Sequence, residues 1–240
     1  MRYLLAFLVL ASVAQAQTAA VITNGLVAWY PMENPATERI NALNGTLVAS
    51  PGFIAGRLGN AVSLNGSNQY VTVAADSRLT SGNAFTVAVW IRTTTTGVRQ
   101  IAGIDAVASN RRWALMSGQG ASQKIAEFYV FKNVSTYVSA GSSRNVCDGA
   151  WHHVAATFNG TSTGGTGTPT LYVDGLRDTT VSGSAVDTVA TPTEPLWIGA
   201  RNHSSRLYFA GQIDSLMIWS RVLSAQEVAL LATFKPYGAQ

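Results

Sequence analysis

The chain has 240 residues, of which 47% are hydrophobic and only 12% are charged. This balance excludes a disordered chain, which carries much charge and few apolar side chains, and a coiled coil, which needs abundant Glu, Lys and Leu. The formal net charge of +4 comes from basic residues scattered along the chain, whereas nucleic-acid-binding proteins cluster theirs on one element. We therefore expect a globular protein with no nucleic-acid partner.

The first sixteen residues have the pattern of a secretory leader. Arg2 precedes a short apolar run at residues 3–11, and residues 14–16 have the small-x-small form that signal peptidase accepts. The apolar run is too short for a membrane span, which requires about 20 residues. We therefore predict a signal peptide at residues 1–16 with cleavage near Ala16. The single mature domain at residues 17–240 is then secreted, extracellular or periplasmic, with no membrane span.

The rest of the chain alternates short β-type runs with turns rich in Gly, Asn, Ser and Thr. Residues 61–64 and 69–73 flank an Asn-Gly turn signal and predict a hairpin. Both faces of the run 85–92 are partly apolar, which predicts a central strand. Further strands are predicted at residues 99–106, 111–117, 124–132, 134–140, 151–158, 170–175, 196–199 and 211–219.

One short helix is predicted at the C-terminal end. Ser224 and Glu227 have the Ser-x-x-Glu spacing of a capping box, with Ser224 as the N-cap. Val228 and Leu231 follow on one apolar stripe, and Pro236 ends the helix. Because turn signals recur regularly and strands do not alternate with helices, the fold class is all-β, with two stacked antiparallel sheets.

Several segments follow one another in the order of a known family. The most specific pair is Trp-His-His-Val-Ala at 151–155 followed by Leu-Tyr-Val-Asp-Gly at 171–175. In these segments the chain resembles the laminin-G-like jelly rolls of the concanavalin-A-like lectin/glucanase superfamily, over about residues 24–232. The resemblance implies an antiparallel two-sheet jelly-roll sandwich with long loops at its rims. Other similar segments are 25–32, 59–66, 70–73, 85–91, 198–199, 209–214 and 221–228.

The superfamily includes glycosidases, whose two catalytic carboxylates lie about 5–9.5 Å apart. The resemblance places them at alternating positions of one strand, as Glu-x-Asp-x-Glu, and the sequence has no such pattern. Glu127 stands alone in its strand, and a pair formed by acids from separate strands stays open. His152 and His153 alternate on one strand, so one ring is expected to pack inside. We predict no catalytic residue and keep an atypical glycoside hydrolase as the least favoured alternative.

The resemblance also implies a structural calcium ion that ties the N-terminal segment to the last strand. Its acidic ligand is Asp214, and an early turn at Asn65 supplies further oxygens. An amide stands at Asn65 where the family has Asp, and residues 37–40 replace an acidic loop of the family, so both departures weaken the site. The alternative role for Asp214 is a carboxylate that accepts hydrogen bonds from turn amides.

Saccharide sites pair an aromatic platform with planar amide, acid or guanidinium groups, and one rim loop between two late strands has this composition. Tyr129, Phe131 and Tyr137 are spaced to form a second aromatic stripe, for which core packing is the more frequent explanation. We predict a secreted, non-catalytic module that recognises a glycan or a protein surface ligand through rim loops. The alternative is a structural component of a cell-surface or virion assembly. The rim-loop residues predicted to bind the ligand are Arg201, Asn202, His203, Arg206 and Tyr208.

Overall fold

The computed structural model describes residues 22–33, 37–80, 82–106, 111–133, 135–160, 167–184, 186, 188–191 and 193–233. The predicted leader and Pro236 lie outside these residues. Within them the chain forms sixteen strands, a short 3₁₀ helix at Ser77–Leu79 and the helix α1 (Ala225–Thr233). The strands are β1 (Leu26–Tyr30), β2 (Gly45–Val48), β3 (Gly52–Ala55), β4 (Asn60–Asn65), β5 (Tyr70–Val73), β6 (Ala84–Arg92), β7 (Arg99–Asp105), β8 (Arg111–Gln119), β9 (Ile125–Phe131), β10 (Tyr137–Gly141), β11 (Trp151–Asn159), β12 (Pro169–Val173), β13 (Leu176–Arg177), β14 (Thr180–Gly183), β15 (Leu196–Ile198) and β16 (Ala210–Trp219).

The strands form two sheets of eight strands each, and the pairings between these strands are antiparallel. Sheet A has the order β13-β12-β11-β6-β16-β4-β3, and β1 also pairs with β16. Sheet B has the order β14-β10-β9-β8-β7-β15-β5-β2. The predicted all-β sandwich of two antiparallel sheets with one short C-terminal helix is therefore confirmed.

The core lies between the two sheets and is built by the alternation of side chains along each strand. On β6, Phe85, Val87, Val89 and Ile91 all face this core and are almost fully buried. β6 is paired with β11 on one side and with β16 on the other, so the predicted central position is confirmed. Burying each such side chain contributes about 1.5–3 kcal/mol, which fixes the register of the strand.

The predicted hairpin around the Asn-Gly turn is wrong, because β4 and β5 belong to different sheets. Asn65 accepts hydrogen bonds through Oδ1 from the amides of Ser67 and Asn68, and Gly66 adopts a positive φ of 73°. The turn therefore makes a corner that carries the chain from sheet A to sheet B. Val62 and Val71 face the same core from opposite sides, which buries both strands without a hydrogen bond between them.

Helix α1 begins with the predicted capping box. The amide of Glu227 donates to Ser224 Oγ at 3.2 Å, and the amide of Ser224 donates to Glu227 Oε2 at 2.7 Å. Val228 and Leu231 pack with Trp219 on the outer face of sheet A. The helix therefore closes the outer face of sheet A, whereas no described helix covers the outer face of sheet B.

Candidate ligand site on the outer face of sheet B

Three aromatic rings project from the outer face of sheet B. Tyr129 and Phe131 of β9 point away from the core because their neighbours Phe128 and Val130 point into it. Together with Tyr137 of β10 they form an aromatic triad, with ring centroids 5.7–6.1 Å apart. Tyr137 is 41% exposed and is the most accessible ring of the three. The three rings therefore form a stripe on one sheet face, in which Tyr137 is accessible whereas Phe131 is buried in a small hydrophobic cluster with Ala114 and Met116.

A cavity of about 310 Å³ lies against this aromatic triad. Strands β8, β9 and β10 supply one side of it, and the loop that precedes β16 supplies another through Leu207. The main-chain amide of Gln100 donates to the carbonyl of Leu207 at 3.0 Å, which ties this loop to β7. Besides the triad, the cavity is lined by Val98, Arg111, Met116, Gln119, Arg201 and Leu207.

A fully buried carboxylate organises the charged side of the cavity. Asp105 Oδ1 lies 2.6 Å from Nε of Arg111, and Asp105 Oδ2 lies 2.9 Å from Nε of Arg201. The guanidinium carbon of Arg111 also lies 3.6 Å from the centroid of the Phe131 ring, a cation–π contact. Two guanidinium groups and one carboxylate leave this part of the site with a net charge of +1. Because a buried carboxylate needs its partners, Asp105 holds both arginines in place.

The hydroxyl group of Tyr129 remains protonated at the edge of the cavity. Burial raises the pKa of Tyr129 well above its usual range, and the nearby carboxylate of Glu127 raises this pKa further. The phenol is therefore protonated at physiological pH, and its hydrogen bond is made to the carboxylate of Glu127. Glu127 itself is not among the residues that line the cavity.

Glu127 and Asp105 do not form a glycosidase pair. Glu127 pairs with Met116, which in turn pairs with Gln100, five residues before Asp105. At about 3.3 Å per residue, the two carboxylates are separated by roughly 16 Å along the strands. Catalytic carboxylates in glycosidases lie about 5–9.5 Å apart. These two acids therefore lack the geometry for glycoside hydrolysis.

The predicted rim-loop residues do not form a single cluster. Arg201 alone lines the cavity beside the aromatic triad. Arg206 lies over the ring of Trp197 at 5.0 Å, and Trp197 stacks on Tyr70 at 4.3 Å. Tyr208 contacts the same stack, with its ring 6.3 Å from that of Tyr70. Arg206 and Tyr208 therefore belong to a second aromatic cluster, formed with β5 and β15.

The other two predicted residues, Asn202 and His203, make their side-chain contacts outside the cavity. His203 Nδ1 lies 3.1 Å from the amide of Ser205, which donates to it, and the side chain of His203 is turned back onto its loop. The side-chain amide of Asn202 donates to Glu194 Oε2 at 3.5 Å. Neither side chain lines the cavity. A role in ligand binding for Asn202 and His203 stays a prediction.

Sequence reasoning missed Asp105 and Arg111, although both are central to the cavity. Where β7 pairs with β8, the register shifts between Ile104 and Asp105. The shift is a β-bulge, in which β8 has one extra residue opposite these two. The extra residue is Arg112, which is buried and donates to main-chain carbonyls, while Arg111 reaches the outer face. Bulges re-aim side chains in this way, and strict alternation along β8 cannot show them.

The two predicted calcium ligands are not brought together. Asp214 is fully buried, and its Oδ2 accepts hydrogen bonds from the amides of Arg57 at 2.8 Å and Leu58 at 2.7 Å. Asn65 pairs with Ala210, four residues before Asp214, so the two lie roughly 13 Å apart along β16. Calcium–oxygen distances are about 2.3–2.6 Å, so one ion does not fit both side chains.

Asp214 has the amide-accepting role that the sequence offered as its alternative. Burial raises the pKa of this carboxyl group to about 6. Among the residues that the structure describes, no group of three or more His, Cys, Asp or Glu is placed to hold a metal ion. Calcium binding at Asp214 or at Asn65 taken separately stays a prediction.

The two adjacent histidines have opposite environments. His153 is buried against Trp90, with ring centroids 5.2 Å apart, and burial lowers its pKa to about 4. His152 lies between two carboxylates, with Nδ1 2.9 Å from Asp174 and Nε2 3.0 Å from Asp148. These carboxylates, Asp174 first, raise the pKa of His152. Both side chains therefore hold the strand β11 in place, and neither lines the cavity beside the aromatic triad.

A larger cavity of about 460 Å³ lies at the end of sheet A. It is lined by Arg92, whose Nε donates to the carbonyl of Gly149 at 2.9 Å, and by polar side chains and backbone. None of the described residues that line it is aromatic. It therefore lacks the flat apolar platform that the aromatic triad provides on sheet B.

In the described part of the chain no helix is long and apolar enough to cross a membrane.

Solved structures share this fold at low sequence identity. Domain 4 of AbnA, a GH43 extracellular arabinanase from Geobacillus stearothermophilus solved in complex with arabinotriose, is 20% identical with a TM-score of 0.68, covering 86% of this chain and 98% of that chain. The binding domain of Paraclostridial Mosquitocidal Protein 1 is 15% identical with a TM-score of 0.66, covering 88% and 52%. The botulinum neurotoxin serotype C1 binding domain is 13% identical with a TM-score of 0.66, covering 90% and 53%. At these identities the likeness establishes the fold alone.

A curated relative from Mus musculus matches part of the sequence. The protein, "Sushi, von Willebrand factor type A, EGF and pentraxin domain-containing protein 1", is 34% identical over 98 residues, which are 38% of this chain and 3% of that protein. The chain therefore spans a small part of this relative's length. A laminin G-type family model, described as "Concanavalin A-like lectin/glucanases superfamily", matches residues 65–229, well over half of the sequence. This match agrees with the two-sheet jelly roll, and the chain belongs to the concanavalin A-like lectin/glucanases superfamily.

Proposed function

We propose that this protein is a carbohydrate-binding module and that the cavity beside the aromatic triad holds the sugar. One observation carries the proposal: the triad and two guanidinium groups meet in one cavity of about 310 Å³ on the outer face of sheet B. A sugar ring has an apolar C–H face that packs on an aromatic ring, and hydroxyl groups around its edge that bond to planar polar groups. The triad and the pair Arg111 and Arg201 offer these two kinds of surface side by side.

The size and polarity of the cavity suit a short saccharide segment. Its volume lies at the lower end of the about 300–1,000 Å³ that is usual for small-ligand sites. Tyr137 is the accessible ring, and the side chain of Gln119 adds a neutral amide group to the cavity. The partner implied by these groups is a glycan, either free or on another molecule's surface.

The positions of the acidic residues support a non-catalytic role. Asp105 is enclosed by two arginines and has no exposed side-chain surface, so it cannot reach a glycosidic bond. Glu127 is about 16 Å from it along the strands. A binding role needs neither residue to transfer a proton. We therefore favour recognition of a saccharide over its hydrolysis.

The fold relatives add support by analogy. The domain of the arabinanase was solved with arabinotriose, and that enzyme is extracellular. Fold-level analogy alone does not assign a function, because one fold serves many functions. It agrees, however, with the secretory leader pattern at residues 1–16 and with the composition of the cavity. We therefore include secretion in the proposal.

A glycan array followed by titration calorimetry tests the proposal. We expect the purified protein to bind a defined set of saccharides, and Tyr137→Ala to weaken this binding about tenfold, which corresponds to about 1.4 kcal/mol. The matched control is Leu176→Ala, which removes an apolar side chain of 54% exposure from sheet A and leaves binding unchanged. A folded protein that binds no saccharide would overturn the proposal. Concentration-dependent self-association, seen by light scattering, would then favour the structural alternative.

A further inference from the structure

We infer that the cavity selects saccharides that carry a carboxylate, such as those with uronic or sialic acid residues. The inference rests on the proposed function and names the ligand class of the same site. Its basis is the arrangement of Arg111, Arg201 and Asp105, in which two guanidinium groups share one carboxylate at the cavity wall. This arrangement leaves one unit of positive charge without a compensating partner inside the cavity.

Both arginines contact Asp105 through Nε, the nitrogen nearest the side-chain stem. Within the part of the chain that the structure describes, neither guanidinium has a further hydrogen-bond partner, so their Nη groups remain available. Arg111 and Arg201 are 19% and 17% exposed, and both line the cavity. The planar fork of an arginine matches the two oxygens of a carboxylate, which accept two parallel hydrogen bonds.

The guanidinium groups are held in position before any ligand arrives. Asp105 fixes both, and the ring of Phe131 lies 3.6 Å beneath the guanidinium carbon of Arg111. A ligand therefore loses little free energy to ordering these long side chains.

The surrounding groups also favour an acceptor-only ligand. The side-chain amide of Gln119, which lines the cavity, offers N–H donors. The hydroxyl of Tyr129 is hydrogen-bonded to Glu127, whose carboxylate lies outside the residues that line the cavity. Asp105 has its charge compensated by two arginines. A carboxylate in the cavity would therefore meet donors and positive charge.

Pairs of saccharides that differ only in charge test the inference. Trigalacturonic acid is compared with its methyl ester, and sialyllactose with lactose, by titration calorimetry at low and high salt. We expect the acid of at least one pair to bind about tenfold more tightly than its neutral counterpart, with the preference shrinking as salt screens the charges. The pair that shows the preference distinguishes uronic from sialic acid. If both members of each pair bind equally, this inference is overturned and the proposed function stands. If neither member of either pair binds and the array is also silent, both are overturned.

Arg201→Lys tests whether the acid is recognised by the planar fork of the guanidinium group or by its positive charge alone. Lysine keeps a positive charge against Asp105 but cannot form a bidentate pair with the ligand. We expect most of the preference for the acid to disappear, so that the acid and its neutral counterpart bind with similar affinity, while the thermal midpoint is retained. The control is Arg177→Lys, which makes the same exchange at an exposed position on β13 of sheet A. An unchanged preference in Arg201→Lys, or an equal loss in Arg177→Lys, would contradict recognition by the fork.

Discussion

The two outer faces of the sandwich differ in how far other parts of the chain cover them. On sheet A, the helix α1 lies over the strands and buries Trp219 together with Val228 and Leu231. The indole nitrogen of Trp219 donates to the carbonyl of Ile22 at 2.6 Å, so the chain segment before β1 also takes part in this cover. The outer face of sheet A is therefore a second, smaller core.

The outer face of sheet B has rings of similar size but only partial cover, because Phe131 is buried whereas Tyr137 is 41% exposed. Its aromatic triad is joined by Met116 and Leu207, and its polar groups are arginines that contact a buried carboxylate. The loop that precedes β16 crosses this face and leaves a cavity beside it. The same alternation of side chains thus produces a closed layer on one sheet and an accessible platform on the other.

This difference shows how one sandwich separates stability from recognition. A ring that is fully covered contributes to the free energy of unfolding, whereas a ring that is half exposed contributes little to it and remains free to meet a ligand. Substitutions on sheet A should therefore change stability without changing affinity, and substitutions on sheet B should do the reverse.

The largest expected effect is that of Trp219→Ala on sheet A. Trp219 is fully buried and donates its indole hydrogen bond, so its removal leaves both a cavity and an unpaired carbonyl. We expect the free energy of unfolding to fall by about 3–5 kcal/mol. Urea denaturation followed by tryptophan fluorescence or circular dichroism measures this change.

The matched substitution on sheet B is Tyr137→Ala. Because Tyr137 is 41% exposed, its loss should lower the free energy of unfolding by only about 1–2 kcal/mol while weakening saccharide binding. Trp219→Ala should retain full affinity per folded molecule. The comparison between the faces fails if Trp219→Ala is as well tolerated as Tyr137→Ala.

A pH measurement examines how well the cover on sheet A excludes water. Burial lowers the pKa of His153 to about 4, so its neutral form contributes stability above about pH 6.5 that is lost as pH falls toward 4. Burial raises the pKa of Asp214 to about 6, so its contribution is complete below about pH 3.8 and is lost as pH rises through 6. Each effect is worth about 3 kcal/mol, and the two oppose each other between pH 4 and 6.

His153→Gln should reveal one of these opposing effects. The free energy of unfolding of this variant, minus that of the parent protein at the same pH, should rise by about 3 kcal/mol between pH 7 and 4. Asp214→Asn should show a difference of the opposite sign over the same range. Thermal or urea unfolding at several pH values gives both curves. Flat difference curves would mean that water reaches these groups and that sheet A is not closed.

Much of the fold follows from local sequence patterns. Alternation of apolar residues along β6 predicts a central strand, and the spacing of Ser224 and Glu227 predicts the start of α1, because each depends on neighbours in the sequence. The turn at Asn65 shows the limit of this reasoning. A turn signal indicates a change of direction, but only packing against the whole core decides which sheet the next strand joins.

The candidate site is less visible in the sequence than the fold. The spacing of Tyr129 and Phe131 indicates a shared strand face, which the structure shows. The link between Arg201 and Asp105 joins segments far apart in the chain, and a β-bulge places Arg111 on the outer face. Contacts of this kind depend on the register of neighbouring strands. Composition therefore pointed to the rim loop but could not separate Arg201 from its neighbours.

The smallest predicted effect concerns the helix that distinguishes the two faces. Ser224→Ala removes the hydroxyl that accepts the amide hydrogen of Glu227 at the start of α1. We expect the free energy of unfolding to fall by about 1 kcal/mol, measured by urea denaturation. Saccharide affinity should not change, because α1 covers sheet A only. The control is Ser182→Ala on the exposed strand β14, which should be neutral. A loss of affinity in Ser224→Ala would mean that loosening one face disturbs the other, and that stability and recognition are not separated in this sandwich.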